Sequence, residues 1–388
     1  MRVVQLNYAF DPALPDPDAL LDAYHTLTGW SDAVVAAGAD GDGVTMTVVQ
    51  RWHRAARVER NGIDYQFCPR SELHRMVTAT RPDVVHVNGL IFAASAWLLR
   101  QRLPSRTAMV MQDHGGGIPG RLLGARRPIA RRLLRAADAL LFSTIEQADA
   151  WRQAGLLPPE PRVCGVMEAS TNLRAMPRDE ARRITGVGGS PALLWVGRLN
   201  ANKDPLTIVD GFAHVLAALP DATLTMVYGD EALLGAVRER IEQSSALRAR
   251  VHLIGPVNRD RLAAFYSAAD LFVSGSHQEG SGYALLEACA CGLTPVVTDI
   301  PSFRAITGHG LFGALWPPGN SAAFTDAVAT AWSQHQHQHA DRPALTSRSQ
   351  IADYFEREWS WPAIGLRAVR IYRDVLVNRR EWLATASR

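Results

Sequence analysis

Short apolar, β-branched runs alternate with longer stretches of helical periodicity along nearly the whole chain. Repetition of that kind builds parallel sheets joined by crossover helices. In the first half the strand candidates are Val3–Leu6, Val44–Val49, Val84–Val87, Ala108–Met111 and Leu140–Ser143, with helical stretches such as Asp18–Ala37 and Phe92–Arg102 between them. The alternation then stops. From Leu156 to Ser190 the chain carries Pro158, Pro159, Pro161 and Pro177 and ends in Gly-Val-Gly-Gly-Ser, residues that interrupt regular structure. A second series follows, with strand candidates Ala192–Val196, Thr223–Tyr228, Val251–Ile254, Leu271–Ser274 and Pro295–Thr298. Its helices are expected at Leu206–Leu219, Arg259–Ala268 and Tyr283–Cys291.

The fold class is therefore α/β, with two Rossmann-like domains in tandem. A length of 388 residues suits two cores better than one. The linker is placed near Met167–Ser190, giving an N-terminal domain over 1–172, completed by about 362–388, and a C-terminal domain over 188–361. Ligands are expected at the carboxyl ends of the strands.

Composition adds mainly exclusions. Hydrophobic residues at 47% and charged residues at 20% describe a globular chain, and a net charge of +3 makes any electrostatic argument local. The four cysteines, Cys68, Cys164, Cys289 and Cys291, have neither zinc spacing nor a disulfide framework, so buried reduced thiols are expected. No stretch approaches the length of a membrane span and the N-terminus runs straight into a strand, which points to a cytoplasmic protein. The Ser333–Ala340 segment, SQHQHQHA, reads as a solvated low-complexity patch. Asp40-Gly-Asp42 reads as a turn rather than a metal site.

Two segments carry chemistry. In LLWVGRLNANKDP a buried strand breaks at Gly197 and is followed by Arg198 and Lys203. Two cations at the carboxyl end of a parallel strand would neutralise a diphosphate and the charge that builds on it as a leaving group. Lys203 is the chain's only lysine, in a protein that otherwise uses Arg, which suggests a demand for a compact ammonium. The competing reading is ordinary surface charge.

In SGSHQEGSGYALLEACACG, Glu279 and Glu287 lie eight positions apart with Gly280 and Gly282 between them. The glycines allow close approach of backbone amides to a ligand, and the helix starting near Tyr283 offers unpaired N–H groups to an anion. Glu287, just over a turn into that helix, is expected to accept hydrogen bonds from ribose hydroxyls. A plain solvated helix residue and a capping loop residue are the alternatives for the two glutamates.

Together GRLNANK and EGSGYALLE resemble the Gly-Arg-(x)-Lys loop and Glu-x7-Glu motif of the family 4 retaining glycosyltransferases of the GT-B fold. The resemblance is strong from Ala192 to Gly308 and patchier before Leu140. The terminal FEREWSWPAIGLRAVRIYRDVL resembles the family's final helices, which cross back onto the N-terminal domain. The resemblance implies two Rossmann-like domains facing across a cleft. Arg198 and Lys203 would hold the donor diphosphate and Glu287 the ribose. Glu279 would contact the donor sugar, helped by the amides of Gly282, Tyr283 and Ala284. The family's N-terminal-domain His is best matched by His114, with Asp113 and His86 as weaker candidates.

Two departures stand out. The first loop, YAFDPALPDPDAL, lacks the family's glycine pair, which Gly115–Gly117 would partly replace; and Ser281 stands where a bulky residue is usual. The implied reaction is metal-independent, retaining transfer of a hexose-type sugar from a nucleoside diphosphate sugar, without a cofactor, to a glycan, lipid-linked or small-molecule hydroxyl. UDP-sugar is favoured on base rate, with GDP-sugar second. The acceptor is expected on the N-terminal domain near Asn88, Gly89 and Leu90.

RLLGARRPIARRLLRAAD carries six arginines before its first acid, Asp138. It would make a solvated helix face or, on a second reading, a peripheral membrane contact through Arg121–Arg135 at the inner face. Nucleic acid is disfavoured because the patch has no interleaved aromatics. The rival functions are a GT-B sugar-nucleotide epimerase or phosphorylase, and a non-catalytic sugar-nucleotide-binding protein.

Overall fold

The structure is a computed structural model that describes residues 1–39, 43–115, 117–159, 161–336 and 347–386. Asp40-Gly-Asp42, and His337 and His339 of the histidine-rich patch, lie outside the described residues. The chain divides into two compact units, Met1–Ser170 with Trp361–Arg388, and Thr171–Ser360.

The first unit is built on a sheet of β1 (Arg2–Asn7), β2 (Thr45–Arg51), β3 (Ala56–Arg60), β4 (Ile63–Cys68), β5 (Val84–Asn88), β6 (Ala108–Gln112), β7 (Ala139–Phe142) and β8 (Arg162–Gly165). Their order is β3-β4-β2-β1-β5-β6-β7-β8, and β3 alone of the described strands runs antiparallel to its neighbour. The central strands are mostly apolar and almost wholly buried, with polar residues such as Asn7, Asn88 and Gln112 at their carboxyl ends, and β6 is buried at every position. The sequence pattern did not reveal β3, β4 and β8. In β3 (ARVER) charged residues alternate with apolar ones on an edge hairpin, and β8 is only four residues long.

The terminal Trp361–Ala386 helix belongs to this unit and packs along the His25–Ala37 helix. Its anchor is Tyr372, fully buried, whose hydroxyl accepts a 3.2 Å bond from Trp30 Nε1 and lies 2.6 Å from His86 Nδ1. Chain residues far apart in sequence thus close one core.

The second unit holds β9 (Ala192–Gly197), β10 (Thr223–Tyr228), β11 (Val251–Gly255), β12 (Leu271–Ser274), β13 (Thr294–Thr298) and β14 (Ala314–Trp316), all parallel, in the order β11-β10-β9-β12-β13-β14. Trp195, Phe212 and Trp316 fill its interior. Within the stretch anticipated as linker, Arg178–Thr185 is a helix packed on the Arg259–Ala268 helix. Arg178 and Arg182 both pair with the buried Asp270, which also accepts a 2.9 Å bond from the Ala192 amide. The prolines that suggested a break instead punctuate the approach to that helix, with Pro177 at its N-cap. The four cysteines are separate buried free thiols. Among the described residues no helix is long and apolar enough to cross a membrane.

Candidate functional site

In the second unit, β9 leads outward through β10 to β11, whereas β12 starts the opposite series through β13 to β14. The two strands lie side by side, Leu193 and Leu194 opposite Leu271 and Phe272. Loops leaving adjacent strands in opposite directions open a crevice at their carboxyl ends, the usual ligand position in an open α/β sheet. Arg198 and Lys203 leave β9, and Glu279 to Glu287 follow β12, so both sequence motifs meet at this one switch point.

The loops are tied together. The His277 amide donates to the Asn202 carbonyl at 2.8 Å, and Asn202 Nδ2 donates to the Gln278 carbonyl at 2.9 Å. His277 Nε2 lies 3.1 Å from Asp204 Oδ2, while Asp204 Oδ1 caps the Pro205–Ala218 helix through the Thr207 amide. Close approach is required at Gly275, where a Cβ would stand 3.0 Å from the Asp204 carbonyl oxygen.

Lys203, expected on a diphosphate, forms an ion pair with Glu279, expected on a sugar. Their side chains are 17% and 13% exposed, and Ser276 Oγ donates to the same Glu279 oxygen at 2.7 Å. The pair is thus held in a half-dry setting where an incoming phosphate competes with a carboxylate for the ammonium. Arg198 is exposed and, among the described residues, makes no side-chain hydrogen bond or ion pair. Gly197 closes β9 beneath it.

Gly282 is the N-cap of the Tyr283–Ala290 helix, with φ +64° and no side-chain cap. A Cβ there would also meet Phe303 at 2.9 Å. The uncapped first-turn amides, those of Tyr283 and Ala284 among them, are free to receive an anion.

Glu287, expected to accept from ribose hydroxyls, is a buried carboxylate. It is 4% exposed, and Tyr266 OH donates to its Oε2 at 3.0 Å. Burial pushes its pKa up to about 7; the Tyr266 bond and the positive charge of Arg259 hold it from rising further. Arg259 and Tyr266, missed by the sequence reading, sit two turns apart on one face of the Arg259–Ala268 helix. That i, i+7 spacing next to a predicted acidic site was the signal available.

The first unit has its own switch point, between β1 and β5. There Asn7, Asn88 and Gln112 stand in register at the ends of β1, β5 and β6. They line a cavity of about 740 Å³ together with the first loop, Gly89, Leu90, Asp113, His114 and Glu168. Of the residues that sequence reasoning assigned to the N-terminal domain, Asn88 and His114 are both in this wall.

His114 Nδ1 is paired with the carboxylate of Glu168, a residue the sequence reading did not single out. Loss of bulk water opposes charging of the ring, but the Glu168 and Asp113 carboxylates outweigh it and raise the imidazole's pKa. Burial lifts Asp113 to about 6 against a bond from the Gly115 amide. His86 behaves differently: completely buried beside Tyr372 and Trp30, it is pushed down to about 3 and is a neutral core residue, not a sugar ligand.

The sequence matches the family model described as glycosyl transferases group 1 over residues 177–344, and that of the glycosyl transferase 4-like domain over 19–165. A D-inositol 3-phosphate glycosyltransferase of Xylanimonas cellulosilytica is 28% identical over 358 residues, covering 83% of this chain and 80% of that protein. The GDP-mannose:cellobiosyl-diphosphopolyprenol alpha-mannosyltransferase of Xanthomonas oryzae pv. oryzae is 25% identical, covering 76% of this chain and 74% of that one. Among solved structures, Anabaena HepE in complex with UDP superposes with a TM-score of 0.71 at 17% identity, covering 96% of this chain and 100% of that one. Sucrose-phosphate synthase from Thermosynechococcus elongatus gives 0.70 at 19%, covering 97% and 100%. The epimerase, phosphorylase and binding-only readings are not favoured by these likenesses. With matching models over both halves and GT-B enzymes as its structural neighbours, the chain belongs to the group 1, family 4-type glycosyltransferases.

Proposed function

We propose that the protein is a retaining hexosyltransferase that uses a nucleoside diphosphate sugar, UDP-linked in preference to GDP-linked, and needs neither metal nor cofactor. The observation that carries this reading is the meeting of Arg198, Lys203 and the uncapped helix N-terminus at Gly282 around one switch point. The two cations would hold the diphosphate, and the amides of Gly282, Tyr283 and Ala284 would receive its oxygens or the sugar's. Phosphate binding would draw Lys203 from Glu279 and release that carboxylate to a sugar hydroxyl. Glu287, deprotonated, would accept from the ribose.

In the transfer step the anomeric carbon–phosphate oxygen bond breaks and a bond to the acceptor oxygen forms on the same face. The acceptor's proton passes to the leaving phosphate, whose charge Arg198 and Lys203 stabilise. His114, charged through Glu168, would steady the transferring sugar, and the acceptor would enter the first unit's cavity beside Asn88. The UDP named with HepE favours a UDP-sugar, and the GDP-mannose named for the Xanthomonas enzyme keeps GDP as the second arm. Contact with a membrane would fall to the exposed Arg126, Arg127, Arg131 and Arg132 around Ile129, which is 62% exposed.

A binding and hydrolysis screen against UDP-, GDP- and ADP-sugars, in EDTA and with Lys203→Ala beside the wild type, tests the reading. One sugar nucleotide should bind and turn over slowly with the wild type alone. Equal binding by the variant, or a requirement for added metal, overturns it.

A further inference from the structure

The cavity of the first unit has a wall chemistry that speaks to its ligand's charge. Asn7 and Asn88 bond to each other through Asn88 Nδ2 and Asn7 Oδ1. That leaves Asn7 Nδ2 and Asn88 Oδ1 buried without a hydrogen-bond partner, and Gln112 Nε2, one strand further on, is in the same condition. Reversing both asparagine amides leaves the same balance, one donor and one acceptor, so the state of this pair does not depend on amide orientation. Buried amide atoms are normally satisfied, and each left bare costs about 1–3 kcal/mol. A row of such atoms at the mouths of three adjacent parallel strands is a built site awaiting neutral donors and acceptors, which is what a set of sugar hydroxyls supplies.

Carboxylates predominate around the row. Asp11, Asp113 and Glu168 line the cavity, His114 is already paired with Glu168, and no Lys or Arg occurs among the described lining residues. A phosphate dianion would lose water there with carboxylates beside it, and the one cation among the described lining residues, the His114 imidazolium, is already held by Glu168. Phe10, Tyr24 and Phe92 add half-buried to exposed aromatic surface, the kind a pyranose ring's apolar face covers.

From the unpaired Asn7, Asn88 and Gln112 amides and the carboxylate-lined wall without Lys or Arg among its described residues, we infer that the acceptor bound here is an uncharged, hydroxyl-rich sugar or glycoside and not a phosphorylated one. The inference rests on the proposed function for the word acceptor, and it separates this chain from relatives named for an inositol phosphate.

The test reads acceptor binding directly, by saturation-transfer NMR and calorimetry on the full chain, with and without UDP. The probes are matched pairs: phenyl glucoside, phenyl mannoside and myo-inositol, each against its monophosphate. At least one neutral member should bind at least tenfold tighter than its phosphate. Asn88→Ala should lower that binding at least tenfold with UDP affinity unchanged. Gln112→Leu serves as a second variant should Asn88→Ala fail to fold. Equal or tighter binding of a phosphorylated member overturns the inference, as does the absence of binding by every neutral probe. Failure of UDP to bind instead counts against the proposed function, and the neutral-versus-phosphate comparison still decides the inference.

Discussion

The ammonium of Lys203, the chain's only lysine, is paired with the carboxylate of Glu279, 76 positions later in the sequence. A cation expected to wait for a diphosphate is therefore engaged before the ligand arrives. Glu279→Gln removes the competitor while keeping an acceptor for Ser276 Oγ, so the affinity for UDP or GDP should rise several-fold while sugar transfer falls. Lys203→Ala should lower the same affinity by about ten- to a hundredfold, the scale of one charge-assisted contact of about 1.5–3 kcal/mol. Calorimetric titration of the nucleotide reads both.

Glu287 gives a pH dependence whose sign is fixed. Its pKa of about 7 in the folded chain stands above the ordinary 4.5, so the folded state holds the extra proton between those values. Its contribution to stability is full below about pH 4.5 and is lost as pH rises through 7. Glu287→Gln still accepts from Tyr266 and should flatten that dependence, stabilising the unliganded protein at pH 8 by up to about 3 kcal/mol. Melting curves from pH 4.5 to 8.5 check this, and donor binding should weaken in the same variant.

Gly282→Ala should damage stability and donor binding together. The φ of +64° strains any side chain, and the new Cβ would press on Phe303 at 2.9 Å. A loss of about 1–3 kcal/mol is expected by denaturant titration.

Tyr372→Phe should destabilise the first unit by about 1–3 kcal/mol, because the lost hydroxyl leaves both Trp30 Nε1 and His86 Nδ1 buried without their partner. Urea midpoints compare the variants, and truncation before Trp361 should be far more damaging.

Glu168→Gln should lower the pKa of His114, because the carboxylate is the largest influence holding the ring in its charged form. The imidazole resonances of His114, followed by NMR against pH, report the change.

Alternating strand and helix patterns, with a second series after the proline-rich stretch, were enough to specify two parallel-sheet units, to put Arg198, Lys203 and Glu279 in loops after strands and to put Glu287 in the helix that follows. Those features are local: periodicity, breakers and cations written next to the elements they serve. Edge strands such as β3 were illegible, since a charged, exposed hairpin carries no core pattern. Strand order was decided only in three dimensions, and with it the switch points that bring β9 beside β12 and Asn7 beside Asn88. So were the pairing of Lys203 with Glu279, the burial of Glu287 under Tyr266, and the partnership of His114 with Glu168. Each joins residues from separate elements, and a charge's partner and its share of water are properties of the packed neighbourhood, which no single stretch of sequence contains.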